Sequence, residues 1–265
     1  IPASTLTNVG VTANGRGFEY LISKLMSDEL EEVREIGRMM HEELSTVIPS
    51  LVKRAKPSKF IQETRKDMFA LAQRTFTKET ATAKDVTLVD YDNEAEDKVV
   101  AAALYAFSNV SMLQIKETVK GMGEDEKHEV LKTYIDKRSN RREKPMRAAE
   151  TAYYTFDILS DYGAYRDLQR HRMLTQLAQP LTVTNGYDIP PELAEMGFEE
   201  KFHECMKEAA DLYAKIYEKY PHEAQYVVPF AYKIRYLFTM NLRAAFHMIE
   251  LRSMPQGHPS YRHVA

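Results

Sequence analysis

The sequence holds a single cysteine in 265 residues. No internal disulfide can staple the fold, and a reducing, cytoplasmic compartment is the expectation. No apolar stretch approaches the roughly 18 residues of a membrane span, and the first residues do not read as a secretory leader. The chain opens on Ile1-Pro2 without a methionine, as a fragment or a processed form would. A net charge of −3 excludes generic affinity for nucleic acid, so local clusters must supply any attraction for anions. There is no P-loop, GxGxxG, HExxH or GxSxG, which removes the phosphate, dinucleotide, zinc and serine-hydrolase sites that those motifs build. The eight histidines form no metal-ligand spacing with Asp or Glu. Cys205 shares a helical turn with Phe202, His203 and Met206, and is expected to be a buried, inert thiol.

What is present is an ordinary globular balance, with 44% hydrophobic and 28% charged residues. Phe18, Leu21, Ile22, Leu25, Val33, Ile36, Met40 and Leu44 recur mostly at steps of three and four, predicting one long helix over 17–45. A helix is expected over 58–80 and a linker over 77–85. Val86–Tyr91 reads as a strand. Asp92-Asn93 is placed to cap the helix that follows, and helices suit 111–121 and 124–138. The spacing predicts a strand over 151–159 and a helix over 161–172. Asn185-Gly186 marks a turn, Pro190-Pro191 opens a new element, and 198–219 reads as a long helix. Over 230–240 the residues alternate, with Ile234, Tyr236, Phe238 and Met240 on one face. At Asn241 the period turns helical, so a strand feeds straight into a helix, where donors converge.

Three constellations stand out. In Arg170-His171-Arg172 two permanent charges flank one ring, which is relieved either by solvation at a helix end or by a polyanionic ligand that guanidinium forks grip two bonds at a time. Like charge on both sides favours a neutral His171. The second is Asn241-x-Arg243-x-x-x-His247-x-x-x-x-Arg252, which puts Arg243 and His247 on one helix face with Arg252 near it. The third is the basic run Lys137, Arg138, Arg141, Arg142, Lys144 and Arg147, either a solvated loop or a phosphate contact. Without interleaved aromatics, nucleic acid is the minor option. There is also an internal echo: Pro2 precedes Asn14-Gly15-Arg16 by twelve residues, as Pro229 precedes Asn241-Leu242-Arg243.

Gln169-Arg170-His171-Arg172 resembles the RHR signature of the flavin-dependent thymidylate synthases. Val228-Pro229 followed by Asn241–Arg252 is similar to that family's proline–strand–NxR–helix–LR block. Val86–Ser108 looks like its opening strand and helix, and Glu143-Lys144-Pro145 falls at its EtP-type loop. The resemblance implies an α+β fold with long helices on a mixed or antiparallel sheet, assembling as a homo-oligomer (dimer or tetramer) with FAD at subunit junctions. It also implies reductive methylation of dUMP with methylenetetrahydrofolate and NADPH. By matching position, Arg170, His171 and Arg172 would hold FAD, and Asn241, Arg243 and His247 would contact the flavin or its ribityl chain. Arg252 would face the pyrimidine and the flavin ring as the catalytic arginine.

The sequence departs from the family after the triplet. Thr175 stands where the family has the first serine of its nucleotide grip, but the Glu, the second Ser and the Arg are missing from 173–182. Gln225 replaces an arginine before the late proline, and Arg142 or a neighbour replaces a folate-binding histidine. The expectation is an intact FAD half and an incomplete dUMP half. The echo makes 1–56 resemble the end of a first repeat (proline, strand, NxR, helix), 57–85 a helical connection and 86–265 a second repeat, as in two-repeat relatives. The alternatives are a non-catalytic structural repeat of a pseudo-dimer, or a flavoenzyme acting on another pyrimidine nucleotide.

Overall fold

The computed structural model describes residues 2–76 and 85–265. Most of the stretch read as a linker, 77–85, lies outside the described residues. The chain divides into two compact units: Ile1–Ala3, Ala83–Ala210 and Val228–Ala265 in one, Ser4–Thr82 and Asp211–Val227 in the other. Residues 211–227, which the sequence reading set within the last segment, thus pack with the N-terminal unit. No helix among the described residues is long and apolar enough to cross a membrane.

The N-terminal unit is helical, with α1 (Gly15–Leu25), α2 (Glu31–Val47), α3 (Pro49–Val52) and α4 (Lys59–Thr75). The single helix expected over 17–45 is broken at 26–30. The buried Ser27 turns its hydroxyl to the Ser23 carbonyl at 2.6 Å and accepts the Ser58 N–H at 2.8 Å, and Asp28 accepts the Leu30 N–H, so local side-chain bonds replace the helical ladder. The two helices then fold back on each other, with Gly37 set close against Leu25 and Met26. Ile22, Met26, Val52 and Ala55 form the small core beneath them. The strand expected between Pro2 and Asn14 does not form. The segment carries Leu6 and Val9 exposed, and its β pairing among the described residues is an isolated antiparallel bridge, Pro2 to Pro229, beside which the Ala3 N–H donates to the Val228 carbonyl at 2.8 Å.

The other unit is α+β. It holds β1 (Val86–Tyr91), α5 (Ala95–Tyr105), α6 (Met112–Gly121), α7 (Glu124–Ile135), β2 (Tyr153–Asp161), α8 (Tyr162–Leu168), β3 (Thr175–Ala178), α9 (Pro191–Glu195), β4 (Lys233–Asn241), α11 (Leu242–Arg252) and α12 (Pro259–Val264). The helix α10 (Glu199–Tyr217) runs on into the segment assigned to the N-terminal unit. The sheet is antiparallel in the order β1-β2-β4-β3. The alternation in β4 buries Ile234, Tyr236, Phe238 and Met240 and leaves the intervening residues half-buried. Val99, Val100, Ala101 and Ala103 of α5 pack against Ile115 and Val119 of α6 and against Val130 and Leu131 of α7. The cap of α5 is Glu94. Asp92 instead accepts the Glu94 N–H and pairs with Lys98. Cys205 is exposed, against expectation. The buried positions of α10 are Met206 and Tyr213, a two-turn stripe, and one residue of rotation carries Cys205 off it.

Two strands feed directly into helices, and this placement builds the site. β2 enters α8 through Asp161, whose carboxylate accepts the Ala164 N–H at 2.8 Å. β4 enters α11 through Asn241, whose side chain accepts the Ala244 N–H at 2.9 Å. The strands pair from Tyr153↔Asn241 to Asp161↔Lys233, so the two helices leave from opposite ends and run back over the sheet. Nine strand residues span roughly 30 Å, and helices of seven and eleven residues cover about 10 Å and 16 Å of it. Their far ends therefore meet.

Candidate functional site

The meeting point is the turn after α8. The helix expected to reach Arg172 stops at Leu168, so Arg170-His171-Arg172 lies in a turn. Leu168 is fully buried and pins the helix end. Gln176 of β3 then donates to the carbonyls of Gln169 and His171, stitching the turn to the sheet. The three residues of the cluster divide. His171 is buried, 9% exposed, whereas Arg170 and Arg172 are exposed. Arg170 lies 3.5 Å from Asp167.

Arg252, the last residue of α11, donates from Nε to His171 Nε2 at 3.0 Å and from Nη2 to the Asp167 carbonyl at 2.7 Å. Its guanidinium also lies over the Tyr261 ring at 5.3 Å. Because arginine only donates, His171 Nε2 must accept, and the neutral ring carries its proton on Nδ1. Burial, then the positive Arg252 and the neighbouring His247, push the His171 pKa down to about 4. His247 stands edge-on to His171 with ring centroids 5.4 Å apart. Burial, with Lys144 and Arg141, lowers its pKa as well. The site thus joins two neutral histidines rimmed by permanent cations.

Arg243 is turned to the loop before β2. Its Nε donates to the Pro145 carbonyl at 2.7 Å and its Nη1 reaches Glu150 at 3.0 Å. Arg138 holds the other side of that loop, with both Glu250 carboxylate oxygens 2.8 Å from its Nη2. The second and third constellations are therefore one structure: α11 is clamped to the basic loop beside the His171 turn. Asn241 gives its oxygen to the cap of α11, which leaves the amide nitrogen as its remaining polar end. Thr175 opens β3 opposite Thr239 and is exposed.

A family described as thymidylate synthase complementing protein matches residues 87–265. The chain belongs to this family. Among its relatives, a UPF0159 protein of Chlamydia pneumoniae is 41% identical over 274 residues, covering 100% of this chain and 52% of its own length. A UPF0159 protein of Thermoplasma acidophilum is 40% identical over 269 residues, covering 100% of this chain and 54% of its own length. The chain spans about half the length of the curated relatives it matches.

Within this member of the family, reading the sequence alone passed over the residues that hold the cations in place. Asp167, Glu150, Glu250 and Gln176 fix Arg252, Arg243, Arg138 and the His171 turn respectively. Glu250 had a signal: it follows His247 by three residues on the same helix face. Gln176 and Glu150 had none, since each acts from a short element whose place is set by distant contacts. The donors present fit a flavin dinucleotide. Exposed guanidiniums at Arg170 and Arg172 suit a pyrophosphate, and a neutral His171 offers an Nδ1–H without adding charge.

Proposed function

We propose that this chain carries an FAD-dependent thymidylate synthase-like site, acting in the reductive methylation of dUMP to dTMP with methylenetetrahydrofolate and NADPH. The observation that carries the reading is the His171–Arg252 bond, which joins two motifs 81 residues apart at the end of a strand–helix pair. Bound FAD would supply hydride transfer. Arg170 and Arg172 would bind its pyrophosphate. His171, Asn241 and His247 would orient the remainder, with Arg243 holding the loop that borders it. Arg252 would be both the positioning partner of His171 and the cation next to the reacting pyrimidine.

A second reading, a structural repeat without its own turnover, is favoured by one observation. The stretch 173–182 carries no carboxylate and no arginine after Arg172, so a nucleotide phosphate finds little to grip there. The experiment that tests the function is conversion of labelled dUMP by the purified chain with FAD, NADPH and methylenetetrahydrofolate. Formation of dTMP that disappears on Arg252→Ala supports the enzyme. Flavin uptake with neither dUMP binding nor dTMP selects the structural reading.

A further inference from the structure

The C-terminal helix α12 belongs to the same unit as the site and packs on β2 and on α8, the helix that carries Asp167. It brings one ring to the site. The Arg252 guanidinium lies over the face of Tyr261, 5.3 Å from the ring centre.

The polar bonds of Arg252 leave that guanidinium one freedom. Nε and Nη2 form one edge of the planar fork, and both are engaged, on His171 and on the Asp167 carbonyl. Two acceptors define a line, and the plane can still rock about it. The Asp167 carboxylate is 3.8 Å from Nη1, beyond hydrogen-bond reach, and does not stop the motion. The Tyr261 ring does: it faces the flat of the fork, off that line, and the attraction weakens as the cation tilts away.

Tyr261 is itself held. Pro259 opens α12, and His258 caps it by accepting the Ser260 N–H at 3.3 Å. Arg262 donates to the Pro255 carbonyl at 3.3 Å and closes the turn ahead of the helix. Gly257, one turn before Tyr261, clears the ring's place: a Cβ there would stand 2.6 Å from the tyrosine hydroxyl oxygen and 2.8 Å from Cε2.

We propose that Tyr261 is a positioning residue for Arg252. Its ring locks the tilt of the guanidinium, so that Nη1, the nitrogen bonded to neither His171 nor the Asp167 carbonyl, is offered at a fixed angle to an oxygen acceptor of the ligand. The idea rests on the proposed function only for the identity of that ligand, the pyrimidine.

The first test needs no ligand. In heteronuclear NMR of the intact chain, the Arg252 Nε–H should exchange slowly with water, and the Arg252 side-chain protons should carry an upfield ring-current shift. Tyr261→Phe should keep both. Tyr261→Leu should remove the shift and speed Nε–H exchange by about three- to thirtyfold. Gly257→Ala, which displaces the ring, should do the same and gives the reading where leucine at 261 does not fold. Unshifted protons in the parent chain, unchanged exchange in the variants that remove or displace the ring, or equal losses with phenylalanine and leucine would overturn the proposal. Turnover supplies the second test. With FAD, NADPH and methylenetetrahydrofolate, Tyr261→Leu should lower kcat on dUMP by a similar factor and leave flavin uptake intact, and phenylalanine should restore the rate. A rate that rises in Tyr261→Leu would make α12 a cover over Arg252 and end the proposal. A parent chain with neither flavin nor turnover, whose Nε–H is still freed by Tyr261→Leu, fails the proposed function and leaves the brace standing.

Discussion

His171 does work that neither neighbour in its triplet does. It is buried against Arg252 while the two arginines face solvent, so one motif holds a structural ring and two solvent-facing forks. The unfolded chain takes up a proton at this ring from about pH 6.5 downward, the folded chain only near pH 4. Between those values the unfolded state binds more protons, so stability falls as pH falls, by up to about 3 kcal/mol. Replacing His171 by Gln, which still accepts from Arg252, should flatten that part of the profile in urea unfolding measured from pH 7 to pH 4. An unchanged slope would mean that the ring is not buried neutral. Arg252→Leu leaves His171 Nε2 and the Asp167 carbonyl without their donor, at a cost of about 1–3 kcal/mol. The same change removes a positive neighbour, so the His171 pKa measured by NMR should rise, yet stay below 6.5 because burial is the larger cause. The sequence exposed the charge conflict within the triplet and the preference for a neutral ring. It could not show which residue turns inward, because the helix ends at Leu168 and periodicity stops there.

At the scale of elements, the strand-to-helix junctions were the most legible part of the fold. The alternation of 230–240 giving way to a helical period at Asn241 required β4 and α11 in that order, and the structure places the change of period at the cap itself. Asn241→Ala should cost about 1 kcal/mol in thermal or urea unfolding, and Asn241→Asp much less, since it keeps an acceptor for the Ala244 N–H. Equal losses would deny the cap. The α1–α2 break was illegible, because the apolar steps continue through it and only the hydroxyl of Ser27 and the contact at Gly37 reveal the hairpin. A Cβ at Gly37 would stand 2.9 Å from Leu25 Cβ and 3.0 Å from the Met26 nitrogen. Gly37→Ala should therefore destabilise by about 1–3 kcal/mol despite alanine's better helix propensity, and a gain in melting temperature would contradict the close approach. β3 was missed because four residues at a sheet edge show no alternation of their own.

For the molecule as a whole, the echo between the two ends has a physical counterpart. Asn14 caps α1 by accepting the Gly17 N–H at 2.8 Å, as Asn241 caps α11, and the two matching prolines, Pro2 and Pro229, pair with each other in an antiparallel bridge. At the echoed spacing the site residues are not repeated: Tyr20 and Leu25 stand toward the N-terminus where His247 and Arg252 stand toward the C-terminus. The central claim is that the cation-rimmed pair His171 and His247 borders a bound flavin. The direct measurement is the visible absorption spectrum of the purified chain after incubation with FAD and gel filtration. The account predicts flavin bands that co-elute with the protein and are lost in Arg170→Ala/Arg172→Ala; a colourless protein, or bands that survive that double change undiminished, would contradict it.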